Sequence, residues 1–80
     1  MKIIKIGSAQ LTEAEALKIY NNDNYIITYS KIYQLHYSAA QHTIYGSVIY
    51  QQPGLTKRGR YYTFTAAEVN NLLGYQFLNE

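Results

Sequence analysis

The chain has no cysteine. That excludes a disulfide scaffold, a thiolate metal site and a cysteine nucleophile, and nothing in the chain needs an oxidising compartment. Acidic residues are also few: Glu13, Glu15, Asp23, Glu68 and Glu80. No two of them stand at a spacing that suggests acid–base work. The two histidines, His36 and His42, fall on opposite faces of the hairpin inferred below, so they should share neither a metal nor a proton. There is no nucleophile elbow, no phosphate-cradling glycine loop and no metal-ligand cluster. The sequence therefore points away from an enzyme and calls for no cofactor and no metal. No stretch approaches the roughly 20 apolar residues of a membrane span. Met1–Gly7 is too short and too interrupted by lysine for a signal peptide. A cytoplasmic location is expected.

Charged residues make up 15% of the chain, against about 25% in typical domains. Hydrophobic residues make up 48%, enough for a core. Eighty residues form a single domain, residues 1–80. A chain of this size buries only about 60% of its unfolded surface, so rings and amides must remain exposed. The net charge of +2 is mild and permits a nucleic-acid partner without requiring one.

What the chain has in excess is tyrosine, ten in all, six of them between Tyr25 and Tyr50. Tyr25, Tyr29, Tyr33 and Tyr37 are spaced by four. As a strand, 25–37 places Tyr25, Ile27, Tyr29, Lys31, Tyr33, Leu35 and Tyr37 on one face, apolar or aromatic at all but Lys31, and mostly polar residues on the other. A helix would leave Ile27 and Leu35 off the stripe. Residues 41–52 pair with this strand when Tyr37 faces His42. Leu35 then faces Ile44, Tyr33 faces Gly46 and Tyr29 faces Tyr50, apolar face against apolar face. Gly46 leaves room beside the ring of Tyr33. Alanine at positions 39 and 40 suits a tight two-residue turn poorly, so a four-residue loop is expected.

The flanks supply support. Lys2–Ile6 reads as a short strand with Ile4 and Ile6 inward, expected to add to the main sheet after its helix crosses over. Thr12 and Glu15 form a capping box that opens a helix running to about Tyr20, with Ala16, Leu17, Ile19 and Tyr20 on its apolar side. Asn21–Asn24 stops it through side chains that bond local backbone and tolerate left-handed geometry. Pro53-Gly54 marks a turn, and Arg60–Phe64 resumes strand. Thr65 and Glu68 repeat the capping box, Phe64 and Val69 sit where a hydrophobic staple would, and Gly74 suits the C-terminal cap. Val69, Leu72 and Leu73 form the buried side, and Tyr75–Leu78 adds a last strand or docks as a tail. The expected class is α+β: a two-layer domain in which two short helices cover one face of an antiparallel sheet built on a long tyrosine-rich hairpin, in the order β-α-β-β-β-α with an optional final strand.

Two kinds of partner fit this composition. Exposed tyrosine offers large contact area at low entropic cost, and arginine completes common hot-spot chemistry. The reading is a non-enzymatic protein-interaction domain, a regulatory or inhibitory factor of phage or mobile-element type, in the manner of anti-CRISPR proteins. The Asn-, Ile- and Tyr-rich usage supports that type. The candidate contacts are Tyr29, Tyr33, Tyr37, Tyr45 and Tyr61, with Lys57, Arg58 and Arg60. An exposed edge of the long hairpin can also pair two copies into a homodimer. The alternative is a single-stranded nucleic-acid binder. Arg58-Gly59-Arg60-Tyr61-Tyr62-Thr63-Phe64 resembles, over seven residues, the signature of RNA-recognition-motif domains. Arg60 stands where that motif has an aromatic and Tyr61 where it has a small residue. The resemblance implies phosphate contacts from Lys57, Arg58 and Arg60 and base stacking on tyrosine. If the helices cover the face of Tyr29, Tyr33, Tyr37 and Tyr50, the binding surface falls to the basic loop and the opposite face, with Gln34, His36, Thr43 and Tyr45.

Overall fold

The structure is a computed structural model and describes residues 2–28, 30–52 and 62–79. Its elements in chain order are β1 (Ile3–Ile6), β2 (Ala9–Thr12), α1 (Glu13–Asn21), β3 (Tyr25–Thr28), β4 (Lys31–Ser38), β5 (Thr43–Gln51), β6 (Tyr62–Phe64) and α2 (Ala66–Leu73). The fold is α+β, with two antiparallel sheets and two helices. β1 and β2 form a two-stranded sheet, and the other strands form a four-stranded sheet in the order β5-β4-β3-β6.

Both helices start as the local chemistry dictates. Thr12 accepts from the Glu15 amide at 3.2 Å, and the Glu15 carboxylate accepts from the Thr12 amide at 2.9 Å. Thr65 and Glu68 repeat the exchange at 3.3 and 3.1 Å. Such a cap satisfies two otherwise orphaned backbone donors. Asp23, at φ 53, takes the left-handed turn that ends α1, and Gly74, at φ 83, caps α2.

Strand pairing departs from the sequence reading in three places. Residues 25–37 are two strands. Thr28 pairs with Lys31, so the chain reverses between them, and Ile27 pairs with Ile32, Ile26 with Tyr33 and Tyr25 with Gln34. Each reversal of this length exchanges odd and even positions between faces. Tyr25 and Ile27 therefore share a face with Ile32, while Tyr33, Leu35 and Tyr37 share the other with Ile26. The tyrosine stripe is split across the sheet. Second, the β4–β5 loop has the expected four residues, but Ser38 pairs with Thr43 and Tyr37 with Ile44. The register is displaced by two, which keeps the facing and sets Gly46 opposite Leu35. A bulge at Ile49 then places Tyr50 opposite Ile32, on the face away from Tyr33. Third, the first strand does not join the main sheet. It folds back on β2, Ile3 pairing with Thr12 and Ile6 with Ala9.

The two faces of the four-stranded sheet carry separate cores. On the first face Ile26, Tyr33, Leu35 and Ile44 meet Ile4, Ile6, Ala9 and Leu11 of the β1–β2 hairpin and Ala16 and Ile19 of α1. On the second, Tyr25, Ile27 and Ile32 meet Val69 of α2, with Phe64, Leu73 and Leu78 packed around them. The helices thus take opposite faces of the sheet rather than one, because the reversal at 28–31 gives β3 and β4 an apolar residue on either side.

Two glycines let the β1–β2 hairpin reach the sheet. Gly7 turns the hairpin at φ +61, and a methyl group there would stand 2.7 Å from the Tyr33 hydroxyl. A methyl on Gly46 would stand 2.5 Å from Ile6 Cγ2 and 3.2 Å from Tyr33 Cβ. The expected proximity of Gly46 and Tyr33 is present, and Ile6 uses the same gap.

Gly46→Ala should therefore destabilise by about 3 kcal/mol, the upper end for overpacking a core. Gly74→Ala, with nothing within 4 Å of the added carbon, should cost only the left-handed backbone penalty of about 1 kcal/mol. Urea unfolding of the two variants, compared at the midpoint, gives the order.

Candidate protein-interaction surface

Among the described residues, the second face is only half covered. An eight-residue helix is about 12 Å long, and α2 lies over the β3–β6 side. The tail after it extends the cover. Asn70, buried, donates from Nδ2 to the Leu78 carbonyl at 2.7 Å. Its Oδ1 accepts from the Phe77 and Leu78 amides at 2.7 and 2.6 Å. One side chain thus takes the place of a strand ladder, and Tyr75–Leu78 docks as a tail without forming a strand. Phe77 meets the edge of Tyr50 at 5.2 Å and Tyr75 at 6.2 Å. The Tyr75 hydroxyl is held above the ordinary tyrosine pKa, first by its hydrogen bond with Tyr50 and also by repulsion between the two hydroxyls on ionisation.

Beyond the tail, no described element covers the distal part of β4 and β5 on this face. Its second face carries Gln34, His36, Ser38, Thr43, Tyr45 and Ser47. His36 pairs with Tyr45 across the strands, and their rings lie 5.3 Å apart at 31°. His36 Nε2 and Ser47 Oγ are 2.6 Å apart. This is a diagonal contact between neighbouring strands, and it satisfies both polar groups while holding the imidazole against the tyrosine. On the first face of the same strands Tyr37 stands beside Tyr20 of α1, ring centres 6.5 Å apart. Tyr37 is 50% exposed and Tyr45 47%. Leu17 is exposed next to this pair and lines, with Tyr37, His42 and Lys2, a small hollow of about 30 Å³. Lys2 Nζ donates to the His42 carbonyl at 3.1 Å and ties the β1–β2 hairpin to the loop. Among the described residues no group of three or more His, Asp and Glu is placed to hold a metal. No described helix is long and apolar enough to cross a membrane.

The candidate residues from the sequence separate into three groups. Tyr37 and Tyr45 are brought to the open end of the hairpin, on opposite faces. Tyr33 is core, covered by Gly7, Gly46 and Ile6, and is corrected from contact residue to core residue. Tyr29, Lys57, Arg58, Arg60 and Tyr61 lie outside the described residues, as do the Pro53-Gly54 turn and the basic loop. Tyr62, next to that loop, is exposed and packs edge-on to Phe64 at 6.3 Å. Leu17 and Tyr20, expected to be buried on α1, and Leu72, expected on α2, are exposed instead; Asn70 takes the place of an apolar residue. Gln34, His36 and Thr43 lie where the opposite-face reading put them, but that face is open only over its distal half. Ser47 was not anticipated, although its position two residues from Tyr45 puts it on that face.

No protein-family model matches the chain, and no curated protein or solved structure is detectably similar to it.

Asn70→Ala should free the tail, speed amide exchange at Phe77 and Leu78, and cost about 1–3 kcal/mol for unsatisfied buried backbone groups. The Tyr75 shift has a definite sign. A raised phenol pKa favours the neutral folded form. The contribution of the Tyr75–Tyr50 hydrogen bond is fully present below the unfolded tyrosine pKa and is lost as pH rises through the higher folded value. Tyr50→Phe should lower the Tyr75 titration toward the ordinary range, read as the absorbance difference between chains with and without Tyr75→Phe.

Proposed function

We propose that the chain is a non-enzymatic protein-binding domain that holds its partner at the distal end of the β4–β5 hairpin. The observation that carries this is the exposure of Tyr37 and Tyr45 on the two faces of the same strands, with Tyr20 and His36 packed beside them. Rings held by neighbours lose little freedom on binding, and tyrosine adds a hydroxyl for hydrogen bonding. The strands between them carry no charge beyond Lys31, so little desolvation opposes contact. Such a domain acts stoichiometrically. Its size, low charge and Asn-, Ile- and Tyr-rich composition fit a regulatory or inhibitory factor of phage or mobile-element type working in a host cytoplasm, an anti-CRISPR-like inhibitor being one form.

A tagged chain should capture a protein from its host lysate after nuclease treatment. The double variant Tyr37→Ala, Tyr45→Ala should lose that capture with thermal unfolding unchanged, and Leu72→Ala should retain it. Capture that disappears on nuclease treatment would replace this reading with single-stranded nucleic-acid binding.

A further inference from the structure

The two edges of the four-stranded sheet are built differently. β6 is three residues long and offers little to pair with. β5 is nine residues long, with no charge and no proline from Thr43 to Gln51. At about 3.4 Å per residue it extends roughly 30 Å, along a molecule whose longest dimension is 37 Å. Its inner side pairs with β4, and among the described residues no strand pairs with its outer side. The β1–β2 hairpin lies over the first face at Gly46, through Ile6, and forms a separate sheet. Edge strands are normally blunted by shortness, lysine, proline or a bulge. β5 has only the bulge at Ile49, near one end, which leaves Thr43–Val48 regular.

We infer that β5 pairs antiparallel with β5 of a second copy, joining two four-stranded sheets into one of eight strands around a two-fold axis near Gly46. The strand is complementary to itself. An axis perpendicular to the sheet keeps like faces together, so Ile44 of one copy lies beside Val48 of the other, and Tyr45 beside Ser47. Two β-branched residues meet on the first face. On the second, a large side chain meets a small one. Val48 is 47% exposed, as is Tyr45, so both faces of the strand offer surface to cover. Two chains of net charge +2 approach along a strip that holds no charge. A strand from an unrelated protein meets the same backbone, but only a second copy is certain to bring this volume match and this neutrality together. The pairing does not rest on the partner reading, because it is tested through Val48, which lies outside the Tyr37–Tyr45 surface.

Sedimentation equilibrium of the full chain over a wide concentration range should show a monomer–dimer equilibrium. Val48→Lys places a charge opposite Ile44 of the other copy and should give a monomer at every concentration, with thermal unfolding unchanged. Leu72→Lys, an equally exposed change on α2, should leave the dimer intact. If Val48→Lys fails to fold, Val48→Gln, which removes the apolar contact with Ile44 of the other copy, tests the same edge outside the Tyr37–Tyr45 surface. A wild-type monomer throughout, or a dimer that persists in a folded edge variant, overturns the pairing. Loss of partner capture by Val48→Lys in a protein already monomeric would also overturn it and assign the edge to the partner's strand.

Discussion

The close approach of the β1–β2 hairpin to the ring of Tyr33 is the constraint on which the other contacts depend. Gly7 and Gly46 remove the two carbon atoms that would hold hairpin and sheet apart. Ile6 then enters the gap over Gly46, and Ile4, Leu11 and Ala9 follow it onto the first face. α1 starts at the end of β2, where Thr12 is both the last strand residue and the helix cap. Hairpin position therefore fixes helix position. With the first face closed by these elements, α2 has its place on the second.

Local chemistry was fully legible in the sequence. The Thr-x-x-Glu spacing identified both helix starts, and Gly74 its cap, because each depends on residues a few positions apart. Ile4 and Ile6 were readable as core from alternation alone. The β1–β2 hairpin was not read, although Gly7-Ser8 between Ile6 and Ala9 is a recognised two-residue turn signal. The reversal between Thr28 and Lys31 left less trace. It lacks an Asn-Gly or Asp-Gly pair, and only Lys31 interrupts the apolar alternation that runs through it. A reader following that alternation keeps all the tyrosines on one face, whereas the chain divides them.

That division controls what could be inferred about a surface. Composition alone indicates that rings must be exposed, because the chain is too small to bury ten tyrosines. Which rings are exposed depends on parity at two points, the reversal after Thr28 and the bulge at Ile49. Tyr33 is buried and Tyr37 exposed on one face of one strand, because the β1–β2 hairpin covers the first, while Tyr20 and Leu17 beside the second leave it half exposed. Length of cover, rather than residue type, separates core from contact.

The two cores also differ in when the chain supplies them. Every residue of the first lies between Ile4 and Ile44. The second needs Phe64, Val69, Leu73 and Leu78 to meet Tyr25, Ile27 and Ile32, and β6 joins β3 by pairing Phe64 with Tyr25. During synthesis from the N-terminus, the partners of the first core all exist while those of the second are still untranslated. The exposed apolar side of β3 and β4 must then wait for Phe64–Leu78, and the pairing of β6 with β3, the most distant in sequence of the sheet's pairings, follows the others.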